Sequence, residues 1–374
     1  MYVKIRQEEL VQALDKIMVT TSKSANSIPG ASAVRIVFKD GGLVFYGRSR
    51  NDSIMVRAKV EESNGGDCYF GVSCIDLKKL VDTFHFKDEP VLLIYDDTSD
   101  LQAIPLCVKY GTSMFNLWTL GAEHMSPVED FGGVALNPLD LSEVLRAIKS
   151  VAYCLNHERD NMKGVLVDGE YFVATDGTRL GMYENKQIDP KDAGGRVLIS
   201  PESISRIVSI FKGNKGEREA YALDSQSLTL IKDTVCYRTK LLVNRFPNYS
   251  SILPKNQPTI CSASRIETLA SLDRIIAMSN QHSSHAMLSL NPKHGEMMIS
   301  TKTDKGNVED IIEIEYDGPD SSFRVNARYL VEVLKRMQGD HVSYGFRFLT
   351  NKVDGVIEIS EGPFRNFVMP IKDL

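Results

Sequence analysis

FGVSCIDLKKLVDTF (Phe70–Phe84), VLISPESISRIVSIF (Val197–Phe211) and FRVNARYLVEVLKRM (Phe323–Met337) are three versions of one phrase. Each opens as a short strand, passes a Ser or Asn suited to cap a helix, and continues with apolar residues at helical spacing. Aligning Val72, Ile199 and Val325 gives steps of 127 and 126 residues. A second phrase recurs in step with the first. Val3 and Ile5 precede Leu10, Ala13, Leu14 and Ile17; Val134 and Leu136 precede Leu141, Val144, Leu145 and Ile148; Ile260 precedes Ile266, Leu269, Leu272 and Ile276. Two phrases that agree on one period identify an internal threefold repeat.

Within each repeat the second phrase begins about half a repeat after the first, so each is two copies of a strand–helix–strands unit. The runs between the helices alternate or are rich in β-branched and aromatic residues: GLVFYGRSR, SIMVRAKV, EYFVATDG, SLTLIKD and DIIEIEY. They predict strands, separated by Gly and Asp turns. The expected fold is α+β: three repeated domains, each with two helices packed on antiparallel sheet. The register divides the chain into residues 1–128, 129–254 and 255–374, with linkers at Gly121–Gly133 and Pro254–Thr259. A chain of 374 residues has the length for two or three domains, each able to bury its own core.

Composition is that of an ordinary globular protein, 43% hydrophobic and 25% charged. The opening MYVKIRQEEL has no apolar core of a signal peptide, and no stretch approaches the length of a membrane span. Cys68, Cys74, Cys107, Cys154, Cys236 and Cys261 form no C-x-x-C pair, and several lie among apolar neighbours. That usage predicts core thiols in a reducing cytoplasm. A net charge of −5 argues against a uniformly basic nucleic-acid binder, though not against one basic surface on an acidic body.

Enzyme signatures are missing: no phosphate-binding G-x-x-x-x-G-K-[ST], no G-x-S-x-G elbow, no H-E-x-x-H and no dinucleotide glycine fingerprint. His282 and His285 have no Cys or acidic partner nearby, so an exposed polar loop is favoured over a metal site. Asp96 and Asp97 suit a solvated turn better than a catalytic carboxylate pair. Lys16, Lys79, Arg146, Lys149, Arg206, Lys212, Arg274, Lys335 and Arg336 fall on or beside the polar faces of the six repeated helices. Any one of them alone is equally explained by the helix dipole; their spread over all six helices suggests a loose track for a polyanion's backbone. Glu8, Glu9, Glu143, Glu267 and Glu332 share those helices, which argues against a surface that reads bases.

VATDGTRLGM (Val173–Met182), RFPNYSSILP (Arg245–Pro254), VNARYLVEVLKRM (Val325–Met337) and FVMPIKDL (Phe367–Leu374) make the chain resemble, over its whole length, the β sliding clamp of bacterial DNA polymerase III. The resemblance implies a homodimer closed head-to-tail into a six-domain ring around duplex DNA, without sequence preference, catalysis, cofactor or metal. It also implies an apolar pocket that takes linear peptides from polymerase subunits, the clamp loader and repair proteins. By motif, the pocket positions are Met162, Thr175, Gly177, Thr178, Arg179, Leu180, Pro247, Ile252, Tyr329, Phe367, Met369 and Ile371. Such a lining supplies adaptable apolar area with few polar atoms to satisfy. For Leu180 and Ile252 an interdomain core role stands beside the pocket role.

The ring seam would join Phe115 and Leu117, on SMFNLWTL, to the helix end around Ile275 and Met278. An apolar edge strand also calls for a partner on physical grounds. Three features depart from the family: Thr178 where it often has His, Ser251 where it often has Arg, and a less acidic GRSRNDS (Gly47–Ser53). The tail is slightly longer near Asp373. The competing possibilities are a clamp-fold scaffold that does not encircle DNA and, more remotely, an enzyme with a divergent site.

Overall fold

A computed structural model describes residues 1–21, 33–85, 89–96, 104–121, 125, 131, 135–156, 158–159, 162–213, 215–254, 258–279, 284–349 and 352–371. Val134, most of the two linkers, Asp97, His282 and Asp373 lie outside the described residues. Six α-helices occur among those described: α1 (Gln7–Met18), α2 (Cys74–Asp82), α3 (Leu141–Val151), α4 (Pro201–Ile210), α5 (Arg265–Met278) and α6 (Ala327–Leu334). They occupy the places that the two repeated phrases predict. Ser73 caps α2 by accepting from the Asp76 amide, and Asn326 caps α6 by accepting from the Arg328 amide. Leu10, Ala13, Leu14 and Ile17 all face inward on α1, as do Leu141, Val144, Leu145 and Ile148 on α3. Each such side chain, once buried, contributes about 1.5–3 kcal/mol.

Two expectations fail in detail. Leu136 lies outside a strand and is exposed; the strand of that phrase is Asn137–Pro138. On α5, Ile266 is 60% exposed, and the buried face is Thr268, Ser271, Leu272 and Ile275. The apolar residues of this helix do not mark one clean stripe. Ser and Thr sit inward because their hydroxyls find partners, Thr268 on the Ser264 carbonyl and Ser271 on Asp310.

The elements form two compact units, each built on one continuous antiparallel sheet. The first unit holds Met1–Ser142 and Glu202–Leu242. Its sheet joins strands from the first repeat to strands from later in the chain where Asp52–Ala58 pairs with Val235–Lys240, in the register Asp52↔Thr239 to Val56↔Val235. The second unit holds Glu143–Pro201 and Val243–Leu374. There the equivalent junction pairs Arg179–Glu184 with Phe364–Val368, in the register Arg179↔Val368 to Tyr183↔Phe364. The thiols of Cys74, Cys154 and Cys261 are buried, and burial pushes each up to about 12, as befits core residues.

The junction in the first unit is locked by a buried carboxylate. Asp52 is almost fully buried and accepts from Ser49 Oγ at 2.9 Å, Ser203 Oγ at 3.0 Å and the Tyr237 hydroxyl at 2.5 Å. Arg206, on α4, pairs with the same carboxylate and donates through Nε to the Val19 carbonyl at 3.2 Å. With all four partners in place the charge is compensated; with one removed, another is stranded. Asp52→Ala is therefore expected to destabilise the first unit by about 3–5 kcal/mol. In urea this should appear as an early transition, with faster hydrogen exchange along Asp52–Ala58. A wild-type midpoint would rule out the lock.

Candidate functional site

The turn between strands Tyr171–Thr175 and Arg179–Glu184 is over-determined by side-chain bonds. Thr175 Oγ1 donates to the Arg179 carbonyl at 2.7 Å and accepts from the Gly177 amide at 3.1 Å. Asp176 Oδ1 accepts from the Thr178 amide, the Thr178 hydroxyl and the Arg179 amide at 2.7–2.9 Å. Gly177 has φ +90°, a conformation that disfavours any side chain, and Met162 Sδ and Arg159 Nη1 lie 3.4 Å from where its Cβ would stand. The tail joins this turn: the Met369 amide donates to the Thr178 carbonyl at 3.0 Å, and Leu180 faces Phe367 across the strand pair.

Of the twelve positions expected to line a pocket, Leu180, Phe367 and Thr175 are buried. Gly177, Thr178, Ile252 and Met369 are exposed, the last two at 47% and 45%, although both are apolar. Met162, Arg179, Pro247, Tyr329 and Ile371 are half-buried. Direct contacts link Met162, Gly177, Thr178, Arg179, Tyr329 and Met369 around the turn. Pro247 and Ile252 belong to a separate short turn, anchored by the Tyr249 hydroxyl on Asp168 at 2.7 Å. Ile371 is held by its amide on the Arg324 carbonyl at 2.8 Å.

Behind the turn lies a cluster that the motif comparison did not single out: Asp176, Tyr153, Glu332 and Arg336. Arg179 pairs with Asp176 at 2.8 Å and with Glu332, and its guanidinium lies 4.3 Å from the Tyr329 ring centre and 5.1 Å from that of Tyr153. Burial works against this charge, but Asp176 and Glu332 outweigh it and raise the Arg179 pKa above the ordinary value. Glu332 is three residues from Tyr329, one helical turn along α6, and that spacing is the signal by which sequence alone could have found it.

The helix cations divide. Lys79, Lys149, Lys212 and Lys335 are exposed. Arg146 and Arg274 are exposed but paired, with Glu143 at 3.0 Å and Asp310 at 2.7 Å. Arg206 is half-buried and not free as expected; its guanidinium is taken up by Asp52. Arg336 is half-buried over the Tyr153 ring at 4.4 Å. Lys16 is half-buried, and burial, helped by Lys232, lowers its pKa.

On strand Ser113–Leu120, Phe115 and Leu117 are half-buried, and Phe115 leans on Phe84. Met114 and Trp118, on the opposite face, are 62% and 73% exposed. Residues Ser113–Trp118 pair on one side with Pro105–Tyr110; among the described residues no strand covers their other edge. Ile275 is fully buried in its own unit, because the inward face of α5 is shifted, and so has no surface for a seam. Met278 is half-buried at the helix end. His285 and Asp96 are exposed, no three metal-ligating side chains converge among the described residues, and no described helix is long and apolar enough to cross a membrane.

Comparison with known proteins agrees with this architecture. The family model for the DNA polymerase III beta subunit, C-terminal domain, matches residues 250–371. The beta sliding clamp of Rickettsia bellii is 25% identical over 98% of both chains, and that of Proteus mirabilis 22% identical over 94% of both. The crystal structure of the Pseudomonas aeruginosa DNA polymerase III subunit beta superposes over the full length of both chains with a TM-score of 0.86 at 21% identity. The Thermotoga maritima beta subunit does so with 0.82 at 18%. The chain has the clamp fold and is similar to beta sliding clamps over nearly its whole length. Its clamp fold accounts for the repeated helices and for the two continuous sheets; another P. aeruginosa sliding clamp, TM-score 0.86, was solved bound to griselimycin.

Within this clamp fold the Asp176 turn has a definite pH behaviour. Burial raises the Asp176 pKa, but bonds from Arg179 and Thr178 outweigh it and hold the carboxyl below its usual 3.8. The stabilisation is therefore complete above 3.8 and is lost only as pH falls through the lower, folded value. Carbon-detected NMR titration should find the Asp176 midpoint below 3.8. A midpoint at or above it would mean that the carboxylate does not hold the turn.

Proposed function

We propose that this chain is a DNA sliding clamp: a non-catalytic processivity factor that encircles duplex DNA and tethers polymerases to it. The observation that carries this reading is the full-length correspondence with clamp structures, combined with six repeated helices of which each repeat contributes two. The three repeats, 1–128, 129–254 and 255–374, act as clamp domains, and two copies close head-to-tail into a ring. The chain works in the cytoplasm, without metal or cofactor.

Lys79, Lys149, Lys212 and Lys335 supply the DNA-facing charge, supported by the paired Arg146 and Arg274. Exposed lysines on flexible stems reach phosphates and exchange easily, which gives retention without sequence preference. The uncovered edge of Ser113–Trp118, with exposed Met114 and Trp118, is the seam surface of one copy. In the other, the half-buried Met278 and the neighbouring strand Gly306–Tyr316 complete it. That strand pairs with Thr259–Ser264 only at its end, leaving one side of its first half uncovered among the described residues.

The expected mass in solution is about 84 kDa, twice 41.8 kDa. Loaded clamps should stay on circular duplex DNA and leave it once it is linearised, and Trp118→Glu should give monomers that are not retained. Equal retention on both DNAs would favour a clamp-fold scaffold that does not encircle DNA.

The peptide pocket is centred on the group around the Asp176 turn, with Leu180 and Phe367 beneath and Met369 at the rim, and Ile252 on its own turn supplies a second exposed apolar side chain. Two apolar side chains, each nearly half exposed, await an apolar ligand. Thr178 and Ser251 are exposed and uncharged, their hydroxyls donating to Asp176 and to the Asn248 carbonyl, so neither brings a charge to the rim. The partners are linear segments of polymerase subunits, the clamp loader and repair proteins. Met369→Ala should weaken a polymerase peptide by about 1–3 kcal/mol in fluorescence anisotropy, with ring mass unchanged. Wild-type affinity in that variant would move the pocket elsewhere.

A further inference from the structure

We infer that Glu332, on α6, is a positioning residue for peptide recognition: through Arg179 it holds the turn whose Gly177 and Thr178 form the pocket rim. The inference rests on the pocket reading above. Arg179 links that turn to α6, and each of its three guanidinium nitrogens is used. Nε donates to Asp176 at 2.8 Å, Nη2 to the Tyr153 carbonyl at 3.3 Å, and Nη1 to Glu332. Asp176 therefore fixes the guanidinium to the turn, and Glu332 fixes it to the helix.

The Glu332 carboxylate also offsets the charge of two cations. Arg336 lies 4.4 Å from the centre of the Tyr153 ring and Arg179 5.1 Å from it. Burial, with Arg179 pushing the same way, lowers the Arg336 pKa, while the Glu332 carboxylate opposes that shift. Neutralising Glu332 leaves two guanidiniums around one ring, with Arg179 paired to Asp176 alone. Repulsion then pulls Arg179 from its seat, and the Asp176 carboxylate, which holds the Thr178 and Arg179 amides, moves with it. The displacement reaches the other side of the rim because the Met369 amide is bonded to the Thr178 carbonyl. Glu332 itself need not touch the peptide, since its role is to pre-organise the residues that do.

The test compares wild type, Glu332→Gln and Glu332→Asp. Overlapping fluorescein-labelled peptides spanning the host replicative polymerase are screened on wild type, and the tightest serves as probe. Hydrogen exchange of the Thr178 and Arg179 amides is read in the peptide-free protein, with Tm as the control for folding. Glu332→Gln should weaken the probe about tenfold and speed exchange at those two amides, leaving Tm and the amides of Tyr171–Thr175 near wild type. Glu332→Asp, which keeps the charge, should fall between. Glu332→Gln with wild-type affinity and exchange overturns the inference while the pocket reading stands. If wild type binds no peptide, the pocket reading falls and this role falls with it. A general loss of Tm in both variants would mark Glu332 as merely structural.

Discussion

Backbone hydrogen bonding between strands far apart in sequence is the constraint on which the molecule depends. Asp52–Ala58 finds Val235–Lys240, and Arg179–Glu184 finds Phe364–Val368, each across more than a whole repeat. An isolated repeat would end in open strand edges. Joining edges makes each unit one sheet and satisfies the amides and carbonyls that the edges would otherwise present. Both junctions carry the same reinforcement, an arginine held by a shielded carboxylate: Arg206 on Asp52, and Arg179 on Asp176. Such pairs add little net attraction when formed but penalise every arrangement that leaves one member alone, so they select a single register.

The candidate pocket is a by-product of the second junction. Where strand Arg179–Glu184 meets Phe364–Val368, Leu180 and Phe367 fill the space beneath, and the two chains leave the sheet at the Asp176 turn and at Met369. Apolar residues at that exit cannot be buried by the sheet, which ends there. They stay available to a ligand for the same geometric reason that the sheet stays closed elsewhere.

Periodicity made the helices legible. An amphipathic helix declares its inner face by spacing alone, and α1 and α3 bury the residues so marked. α5 escaped because hydroxyls with local partners are buried as readily as alkyl groups, so Thr268 and Ser271 took places that spacing assigned to Ile266 and Leu269. The charges were less legible still. Arg206 and Lys79 look alike on a helical wheel, yet one is committed to Asp52 and the other is open to solvent. Asp52 lies in GRSRNDS, a segment that sequence comparison marked only as divergent; its burial depends on Tyr237 and Ser203, over 150 residues away.

By itself the sequence determined the threefold repeat, the two helices in each, the helix caps at Ser73 and Asn326, and the motifs that mark the candidate pocket. These are properties of short windows, in which a period of 3.6 or 2 and a capping side chain act within a few residues. Tertiary structure alone decided which cations remain free, which face of α5 turns inward, and which carboxylates hold Arg179 and Arg206. The energy of a charge depends on what surrounds it in three dimensions, because a partner a few ångströms away or a layer of apolar atoms outweighs anything its chain neighbours supply.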